Sequence, residues 1–197
     1  MAEYKLTLPV ENKDVEKLVL GDTVYLNGIV FTARDMAHLE IRKLIDSNKP
    51  LPEDLKGSAI FHAGPVCLRD GDGWKMNVIG PTTSIRMEPH ADLVGKLGIK
   101  IIIGKGGLAK DSLEAFKKYK QVYLQAAPGC AVKIAAGVKA VKNVHWFENG
   151  MPEAMWVLDV ENFGPFIVTM DSHGHSRYDD VKKHADEVIA NSKILKV

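Results

Sequence analysis

Apolar and polar positions along the first half of the chain follow two different periods. Residues 23–32 (TVYLNGIVFT) are rich in β-branched and aromatic side chains, which predicts a strand. Residues 34–46 follow with apolar side chains at the three- and four-residue spacing of a helix that buries one face. Further strands are predicted at residues 58–63 and 74–79, on either side of a turn at DGDG (70–73).

The second half of the chain interleaves helices and strands in the same way. One helix is predicted to start near Thr82 and Thr83 and to run through Leu97, with Gly98 as its C-terminal cap. The other predicted strands lie at 100–103, 121–126, 144–147, 155–160 and 165–170, and the other helices at 112–119, just after Pro128-Gly129, and at 178–190. This order predicts a mixed α/β protein, although the late strands without helices between them disfavour a purely doubly wound sheet. No domain boundary is evident, so residues 1–197 are predicted to form a single domain.

Composition excludes some classes of protein. Of the 197 residues, 46% are hydrophobic and 26% charged, which is ordinary for a soluble globular protein. The net charge of +1 gives no support to a general nucleic-acid-binding protein, which carries a basic excess. The chain has no apolar stretch of membrane-spanning length and no signal-peptide core, so we expect a cytoplasmic protein. Cys67 and Cys130 lie far apart, cannot hold an iron–sulfur cluster unaided, and are expected to be two buried free thiols.

A Gly-Pro turn followed by hydroxyl residues, GPTTSIR (80–86), ends the strand predicted at 74–79. Helix N-termini attract anions because their first N–H groups are unpaired, and Thr82 or Thr83 could add a hydroxyl to such a ligand. Arg86, one helical turn later, could reach the same ligand, and its planar guanidinium matches a carboxylate. The alternative is an N-capping threonine followed by a surface arginine.

A second junction between a strand and a helix, TARDMAH (32–38), holds Arg34, Asp35 and His38. Residues three and four apart share a helix face, so these side chains can meet. The arginine could bind a carboxylate, and the histidine or the aspartate could move a proton. The alternative is a capped helix with a solvated ion pair.

Two glycine-containing loops also carry polar side chains. GKGG (104–107) lies between a strand and a helix and could hold an anion on its N–H groups, or could be a plain tight turn. It matches the dinucleotide-binding pattern only loosely, since the next strand offers Gln125 where an acidic residue is required. DSHGH (171–175) could bind a metal, but histidines in such loops are more often simply polar residues. His62, within an apolar strand, is most simply a satisfied core or subsite histidine.

Five of the candidate residues share one property, which is that each follows the end of a predicted strand. In α/β proteins ligands collect at that edge of the sheet. Two arginines and a lysine at one edge would suit a dicarboxylate. The five residues are Arg34, Thr82, Thr83, Arg86 and Lys105.

At these positions the sequence resembles a known family. GPTTSIRME (80–88) resembles the GPTTS-x-RM signature of the β-type portion of class I fumarases and L-tartrate dehydratases. TARDMAH (32–38), IFHAGP (60–65), GKGG (104–107) and GMPEAMW (150–156) resemble its other blocks, in the expected order and over nearly the whole chain. The resemblance implies an α/β fold of the swivelling β/β/α type, with a mixed sheet and flanking helices.

The resemblance also implies a reaction and a partner. The reaction would be the reversible addition or removal of water on a four-carbon dicarboxylate. In the family, an α-type portion supplies three cysteines to a [4Fe–4S] cluster, whose open iron binds the substrate. This chain lacks those cysteines, so we expect it to pair with a separate α subunit, as an α2β2 heterotetramer with the active site between the two subunits. The leading hypothesis is hydration of fumarate to malate, and tartrate dehydration is the near alternative. An alternative of another class is a noncatalytic small-anion- or nucleotide-binding module that uses the GKGG loop.

Within the GPTTS-x-RM motif the resemblance implies a role for each polar residue. Thr82 matches the threonine proposed as the base that takes a proton from carbon. Thr83 and Arg86 match substrate-binding positions. Ile85 departs from the fused fumarases, which tend to have a small residue there, and AAPGCAV (126–132) resembles the separate-subunit enzymes more closely. Both departures bear on the choice of substrate.

Outside that motif the resemblance implies roles for four more residues. Arg34 matches an arginine that holds a carboxylate, and Lys105 matches the lysine of the glycine loop. His38 matches a histidine suggested as an active-site residue in tartrate-type subunits. Asp35 is expected to support its neighbours.

Overall fold

The computed structural model describes residues 1–192 and arranges them around one large mixed sheet. In chain order the strands are β1 (Glu3–Thr7), β2 (Thr23–Thr32), β3 (Ala59–Phe61), β4 (Val66–Asp70), β5 (Gly73–Val78), β6 (Ile101–Gly104), β7 (Val122–Gln125), β8 (Val138–His145) and β9 (Met155–Met170). The α-helices are α1 (Asn12–Glu16), α2 (Asp35–Asp46), α3 (Ala91–Lys96), α4 (Lys110–Tyr119), α5 (Ala131–Ala135) and α6 (Arg177–Asn191). Short 3-10 helices lie at Ser84–His90 and Phe147–Asn149.

Five strands close into a barrel. β2, β3, β6 and β7 lie side by side and parallel, and β9 runs antiparallel to β7 and returns to pair with β2. β1 extends the sheet beside β2, and β8 pairs with the outside of β9. Because the four parallel strands point the same way, their carboxyl ends meet at one edge of the barrel.

Both faces of the central strands are buried, which explains their continuous apolar sequences. In β6, Ile101 and Ile103 belong to one buried cluster, with Phe61 and Trp156, whereas Ile102 packs into the other, beside α2 and α4. Strands covered on both faces lose the alternation of apolar and polar residues that a half-exposed strand shows. Each such side chain contributes roughly 1.5–3 kcal/mol on burial, so the strands are firmly held.

Several predicted elements are confirmed, and others are wrong for identifiable reasons. β2 has its predicted bounds, and α2 begins one residue later than predicted. The DGDG turn joins β5 to β4, not to the strand predicted at 58–63, which instead lies between β2 and β6. The helix predicted from Thr82 to Leu97 is divided into a 3-10 helix and α3, because Pro89 lacks an N–H and disfavours helical backbone before it.

Among the remaining predictions, some are confirmed and others need correction. The strands predicted at 155–160 and 165–170 are one strand, β9, and β8 begins at Val138, earlier than predicted. α6 forms where a helix was expected, but none of its residues is buried. Cys67 is buried as expected, and burial raises the pKa of its thiol to about 11, whereas Cys130 is exposed. Between residues 1 and 192, no helix has the length and apolar character that crossing a bilayer requires.

Candidate functional site

Arg34 occupies the junction between the end of β2 and the start of α2. It precedes the helix in extended backbone and pairs through Nη2 with Oε1 of Glu153, 3.0 Å away. The other oxygen of Glu153 accepts the N–H of Met36 at 3.1 Å, in the first turn of α2. A carboxylate is favoured there, because the first amides of a helix are unpaired and carry partial positive charge. Glu153 therefore joins the site, although sequence reasoning gave it no role.

Arg86 links Asp35 to Thr82. Its Nε and Nη2 donate to the Asp35 carboxylate at 3.0–3.3 Å, and Nη2 also donates to the Thr82 hydroxyl at 3.1 Å. The hydrogen bonds and charge of Arg86 hold the pKa of Asp35 below its ordinary value, and Asp35 raises the pKa of Arg86 in turn. Both members of the pair are therefore ionised near neutral pH. The guanidinium brings positive charge directly to the Thr82 hydroxyl.

Backbone hydrogen bonds tie the GPTTS segment to the barrel edge. The Thr82 N–H donates to the carbonyl of His62 at 2.7 Å, just beyond β3. The Thr82 carbonyl accepts the N–H of Lys105 at 3.3 Å, and the Lys105 carbonyl accepts the N–H of Ser84 at 3.0 Å. Thr83 and Lys105 thus form a parallel bridge beyond β6. The amides of Thr82 and Ser84 are used in these bonds and are therefore not free to bind an anion.

The glycine loop is also tied down from within the protein. The Gly106 N–H donates to Oε1 of Gln125 at 3.3 Å, and the hydroxyl of Tyr178 donates to the same oxygen. Gln125 stands where a dinucleotide site would have an acidic residue. Its side chain therefore holds the loop in place, and this contact favours a fixed turn over a nucleotide cradle.

Beneath this surface lies a buried polar chain that sequence reasoning missed. The Tyr123 hydroxyl donates to Oγ of Ser84 at 2.9 Å, and Oγ lies 2.9 Å from Nδ1 of His62. Burial lowers the pKa of His62 well below its ordinary value, so the ring is neutral and its Nδ1 can accept the Ser84 proton. Only glycine fits at position 104, since a Cβ there would overlap Ser84 Oγ. The hydrogen bonds among Tyr123, Ser84 and His62 thus fix the position of Ser84, the residue that follows Thr83.

His38 lies behind Arg34 and is fully buried. Its Nδ1 is 2.8 Å from the carbonyl of Arg34, and the neighbouring rings of His62 and His90 lie 5.4 and 5.0 Å away, centroid to centroid. Burial lowers the pKa of His38 to about 4, so the ring is neutral near pH 7. Because the Arg34 carbonyl can only accept a hydrogen bond, Nδ1 carries the proton and Nε2 is an acceptor. In the described part of the chain, Nε2 is buried and has no hydrogen-bond partner. His38 therefore supplies a buried neutral acceptor near the site.

We expect His38 to make the chain less stable in acid. Burial lowers the pKa of His38 from 6.5 to about 4 in the folded state. The positive charges of His90 and Arg42 act in the same direction, whereas the hydrogen bond to Arg34 and the charge of Asp35 oppose the change. The folded protein then binds fewer protons than the unfolded chain between these values. The contribution of neutral His38 to the free energy of unfolding is therefore fully present above pH 6.5 and is lost as the pH falls towards 4. At 1.36 kcal/mol per pH unit, this loss amounts to roughly 3 kcal/mol.

The measurement is urea unfolding of the wild-type chain and of His38→Gln at several pH values between 7 and 4.5. As the pH is lowered, the free energy of unfolding should decrease less steeply in the variant than in the wild type, whatever the variant's absolute stability. Parallel curves would mean that His38 does not titrate with the depressed pKa.

The candidate residues are not scattered over separate surfaces. Arg34 follows β2 and Lys105 follows β6. The segment with Thr82, Thr83 and Arg86 contacts Lys105 through backbone hydrogen bonds and Asp35, the neighbour of Arg34, through Arg86. At this edge the side chains of Arg86 and Asp35 are accessible to solvent, with 42% and 39% of their surface exposed. A cavity of about 640 Å³ lies elsewhere, lined by residues such as Pro9 and Lys100, and contains none of the candidate residues.

Hydrogen bonds to the Asp171 side chain hold the DSHGH loop in its turn conformation. Asp171 Oδ1 accepts the N–H groups of His173 and His175, and its other oxygen lies 2.9 Å from Nδ1 of His175. His173 Nε2 lies 2.9 Å from the carbonyl of Glu16. Among residues 1–192 there is no group of three or more His, Cys, Asp or Glu side chains that suits a metal ion. The hydrogen bonds of Asp171 and His173 within the protein are those of a polar loop.

Comparisons with known proteins cover almost the entire chain. Residues 2–181 match the family model described as Fumarase C-terminus. The putative L(+)-tartrate dehydratase subunit beta of Methanocaldococcus jannaschii is 50% identical over 177 residues, which are 89% of this chain and 91% of that protein. The L(+)-tartrate dehydratase subunit beta of Escherichia coli is 42% identical over 179 residues, which are 90% of this chain and 88% of that protein. A putative fumarate hydratase class I of Geobacillus stearothermophilus is 42% identical over 190 residues, which are 95% of this chain but 36% of that protein.

Proposed function

The chain belongs to the Fumarase C-terminus family, and we propose that it is the β subunit of an iron–sulfur hydro-lyase of the L-tartrate dehydratase type. The observation that carries the proposal is the match over about 90% of both chains to proteins named L(+)-tartrate dehydratase subunit beta. The fumarate hydratase relative is matched over only 36% of its length. These comparisons favour the tartrate alternative over the fumarate hypothesis that led from the motifs, within one family of hydro-lyase subunits.

A separate α subunit is part of this proposal, and the word "beta" in the relatives' names supports it. We propose an α2β2 assembly in which the α subunit holds a [4Fe–4S] cluster. The donor set of this chain fits that division, because Cys67 is buried with a raised thiol pKa and Cys130 is exposed elsewhere. Such clusters require several thiolates together. When bound, the cluster supplies a Lewis acid for the hydroxyl that leaves or enters.

We propose that this chain provides the wall that binds the substrate carboxylates. A dicarboxylate carries two negative charges, and Arg34, Arg86 and Lys105 bring positive charge to one edge of the barrel. Asp35 engages Nε and Nη2 of Arg86, and no described contact uses Nη1, which leaves that group for a ligand oxygen. An arginine oriented in this way binds a carboxylate more specifically than a flexible lysine does.

Thr82 is proposed to move the proton at carbon. A threonine hydroxyl is a weak base unless its surroundings stabilise the alkoxide form. The Arg86 guanidinium donates to Thr82 Oγ1 at 3.1 Å, so it would stabilise the alkoxide form, which has released its own proton to solvent and can then accept the proton from carbon. Backbone bonds from Thr82 to His62 and Lys105 keep the hydroxyl in register with the barrel edge. His38, a buried neutral acceptor, is proposed as a second catalytic group, as the resemblance implies.

We expect activity only in the presence of the α subunit. The test is anaerobic co-expression with an α-type subunit, followed by assays of the purified complex on L-tartrate, malate and fumarate. The complex should turn over L-tartrate fastest, and this chain alone should be inactive and should bind dicarboxylates weakly, because it presents one wall of the site.

Three other outcomes of these assays would support a different function. Faster turnover of malate or fumarate would return the assignment to fumarate hydratase. Activity of this chain alone would contradict the two-subunit proposal. Tight unaided binding without activity would favour the small-anion-binding module.

A further inference from the structure

The turn that carries Glu153 is fixed to the end of β2. The Thr32 hydroxyl donates to the carbonyl of Ala154 at 3.2 Å and accepts the N–H of Trp156 at 3.0 Å. The indole N–H of Trp156 donates to the carbonyl of Met151 at 2.9 Å. Thr32 and Trp156 are both fully buried, so these bonds are shielded from water. The turn therefore cannot shift without breaking buried hydrogen bonds that begin two residues before Arg34.

Glu153 uses both of its oxygens. One pairs with Arg34 Nη2 at 3.0 Å, and the other accepts the N–H of Met36 at 3.1 Å. The two charged side chains are only 24% and 20% exposed, for Arg34 and Glu153 respectively, so water screens this pair less than an ordinary surface pair. The carboxylate thus connects the start of α2 to the guanidinium of the preceding residue.

Gly64 confines the same guanidinium from another side. A Cβ at position 64 would lie 2.6 Å from Arg34 Nη1 and 3.0 Å from Cβ of Pro152, so any larger residue would displace one of them. Arg34 Nε is itself buried, with no hydrogen-bond partner among residues 1–192. The guanidinium therefore has little freedom to rotate away from Glu153.

We infer that Glu153 is a positioning residue that sets the orientation of Arg34 for a substrate carboxylate. The inference rests on the proposed function, in which Arg34 binds such a group. The expected change in KM on removal of Glu153 is opposite in sign to the change that electrostatic repulsion of the substrate would give. A carboxylate that merely repelled the substrate would weaken binding, and its removal would lower KM. A carboxylate that orients Arg34 would raise KM when it is removed.

The test compares wild type, Glu153→Gln and Asp159→Asn in the complex with the α subunit. Glutamine keeps an oxygen for the Met36 N–H, so the start of α2 is retained while the charge on Arg34 is no longer matched. Asp159→Asn removes a carboxylate from another ion pair, with Lys142, on the strand that follows Glu153. We expect KM for the dicarboxylate to rise about tenfold in Glu153→Gln with kcat nearly unchanged, as for a lost binding interaction, and no change in Asp159→Asn.

A second variant reaches Arg34 without altering any charge. Gly64→Ala should also raise KM, because its methyl group occupies space that the guanidinium now uses. Circular dichroism of each variant is the control for folding. A fall in KM in Glu153→Gln, or no change in either variant, would overturn the positioning role.

The third measurement does not depend on activity. In the ¹⁵N spectrum of this chain alone, the Arg34 Nε–H signal, assigned by its loss in Arg34→Lys, should shift and broaden in Glu153→Gln. An unchanged signal would overturn the inference even if the complex proved inactive. A complex inactive on every dicarboxylate, with the signal shifted, would instead refute the proposed function and leave Glu153 as the residue that orients Arg34.

Discussion

Replacement of Arg86 by alanine should lower kcat/KM of the complex by roughly 10²- to 10⁴-fold, because truncation of one partner of a charge-paired contact costs about 2–5 kcal/mol. Three interactions disappear together: the proposed contact with a substrate carboxylate, the bidentate pair with Asp35, and the donor to the Thr82 hydroxyl. The loss should affect kcat as well as KM, since the last of these would stabilise the alkoxide form of Thr82 that accepts the proton in the chemical step. Steady-state kinetics on L-tartrate measures both.

The fold should survive this change. The Arg86 side chain is 42% exposed, and exposed ion pairs contribute only about 0–1 kcal/mol to stability. Lys142→Ala, which removes another exposed ion pair on β8, should leave activity at the wild-type level. Arg86→Lys keeps the charge without the planar fork and should recover only part of the loss. Near-normal turnover of Arg86→Ala would refute the role of this residue.

The edge of the barrel that carries the candidate site could be predicted largely from local sequence. β2 and β6 are apolar runs that end in polar or glycine residues, and the rule that ligands collect at strand ends points to Arg34 and Lys105. The structure places those ends at one edge because β2, β3 and β6 are neighbouring parallel strands. The division of the helix predicted from Thr82 to Leu97 was missed, although Pro89 gave a signal for it, since proline rarely lies within a helix.

The residues that support the site could not be found in this way. Glu153 contacts Met36 across 117 positions of sequence, and that contact depends on β9 returning antiparallel beside β2. No local period encodes that closure. The chain of Tyr123, Ser84 and His62 likewise joins three separate elements, and each residue alone resembles an ordinary core position. Glu153, His62 and Ser84 lie in the blocks GMPEAMW, IFHAGP and GPTTSIRME, but those blocks came from the resemblance and gave none of the three residues a contact.

The choice between tartrate and fumarate could not come from the motif either, because both kinds of enzyme share it. Ile85 offers a physical reason for a difference. It directly precedes Arg86 in the chain, and its side chain is 46% exposed. A change of one methylene in an apolar contact alters discrimination by only about 1–3 kcal/mol, so relatives over the full length were needed to favour one substrate.

Thr82→Val should lower kcat by roughly 10²- to 10⁴-fold, the usual contribution of a general base, and should change KM little. Valine has nearly the shape of threonine, and the backbone bonds from residue 82 to His62 and Lys105 do not involve the side chain. The variant therefore removes the hydroxyl, and with it the acceptor for Arg86 Nη2, while the loop keeps its position. Thr7→Val, an exposed threonine on β1, is the matched control and should be fully active.

The role of Thr82 can be separated from that of a simple binding group. Thr82→Ser restores a hydroxyl and should recover much of the lost kcat, with a larger kinetic isotope effect on substrate deuterated at the carbon that loses its proton. That increase is expected because a less well-oriented base makes proton transfer more rate-limiting. If Thr82→Val raised KM and left kcat intact, Thr82 would be a binding residue, and the base would have to come from His38 or from the α subunit.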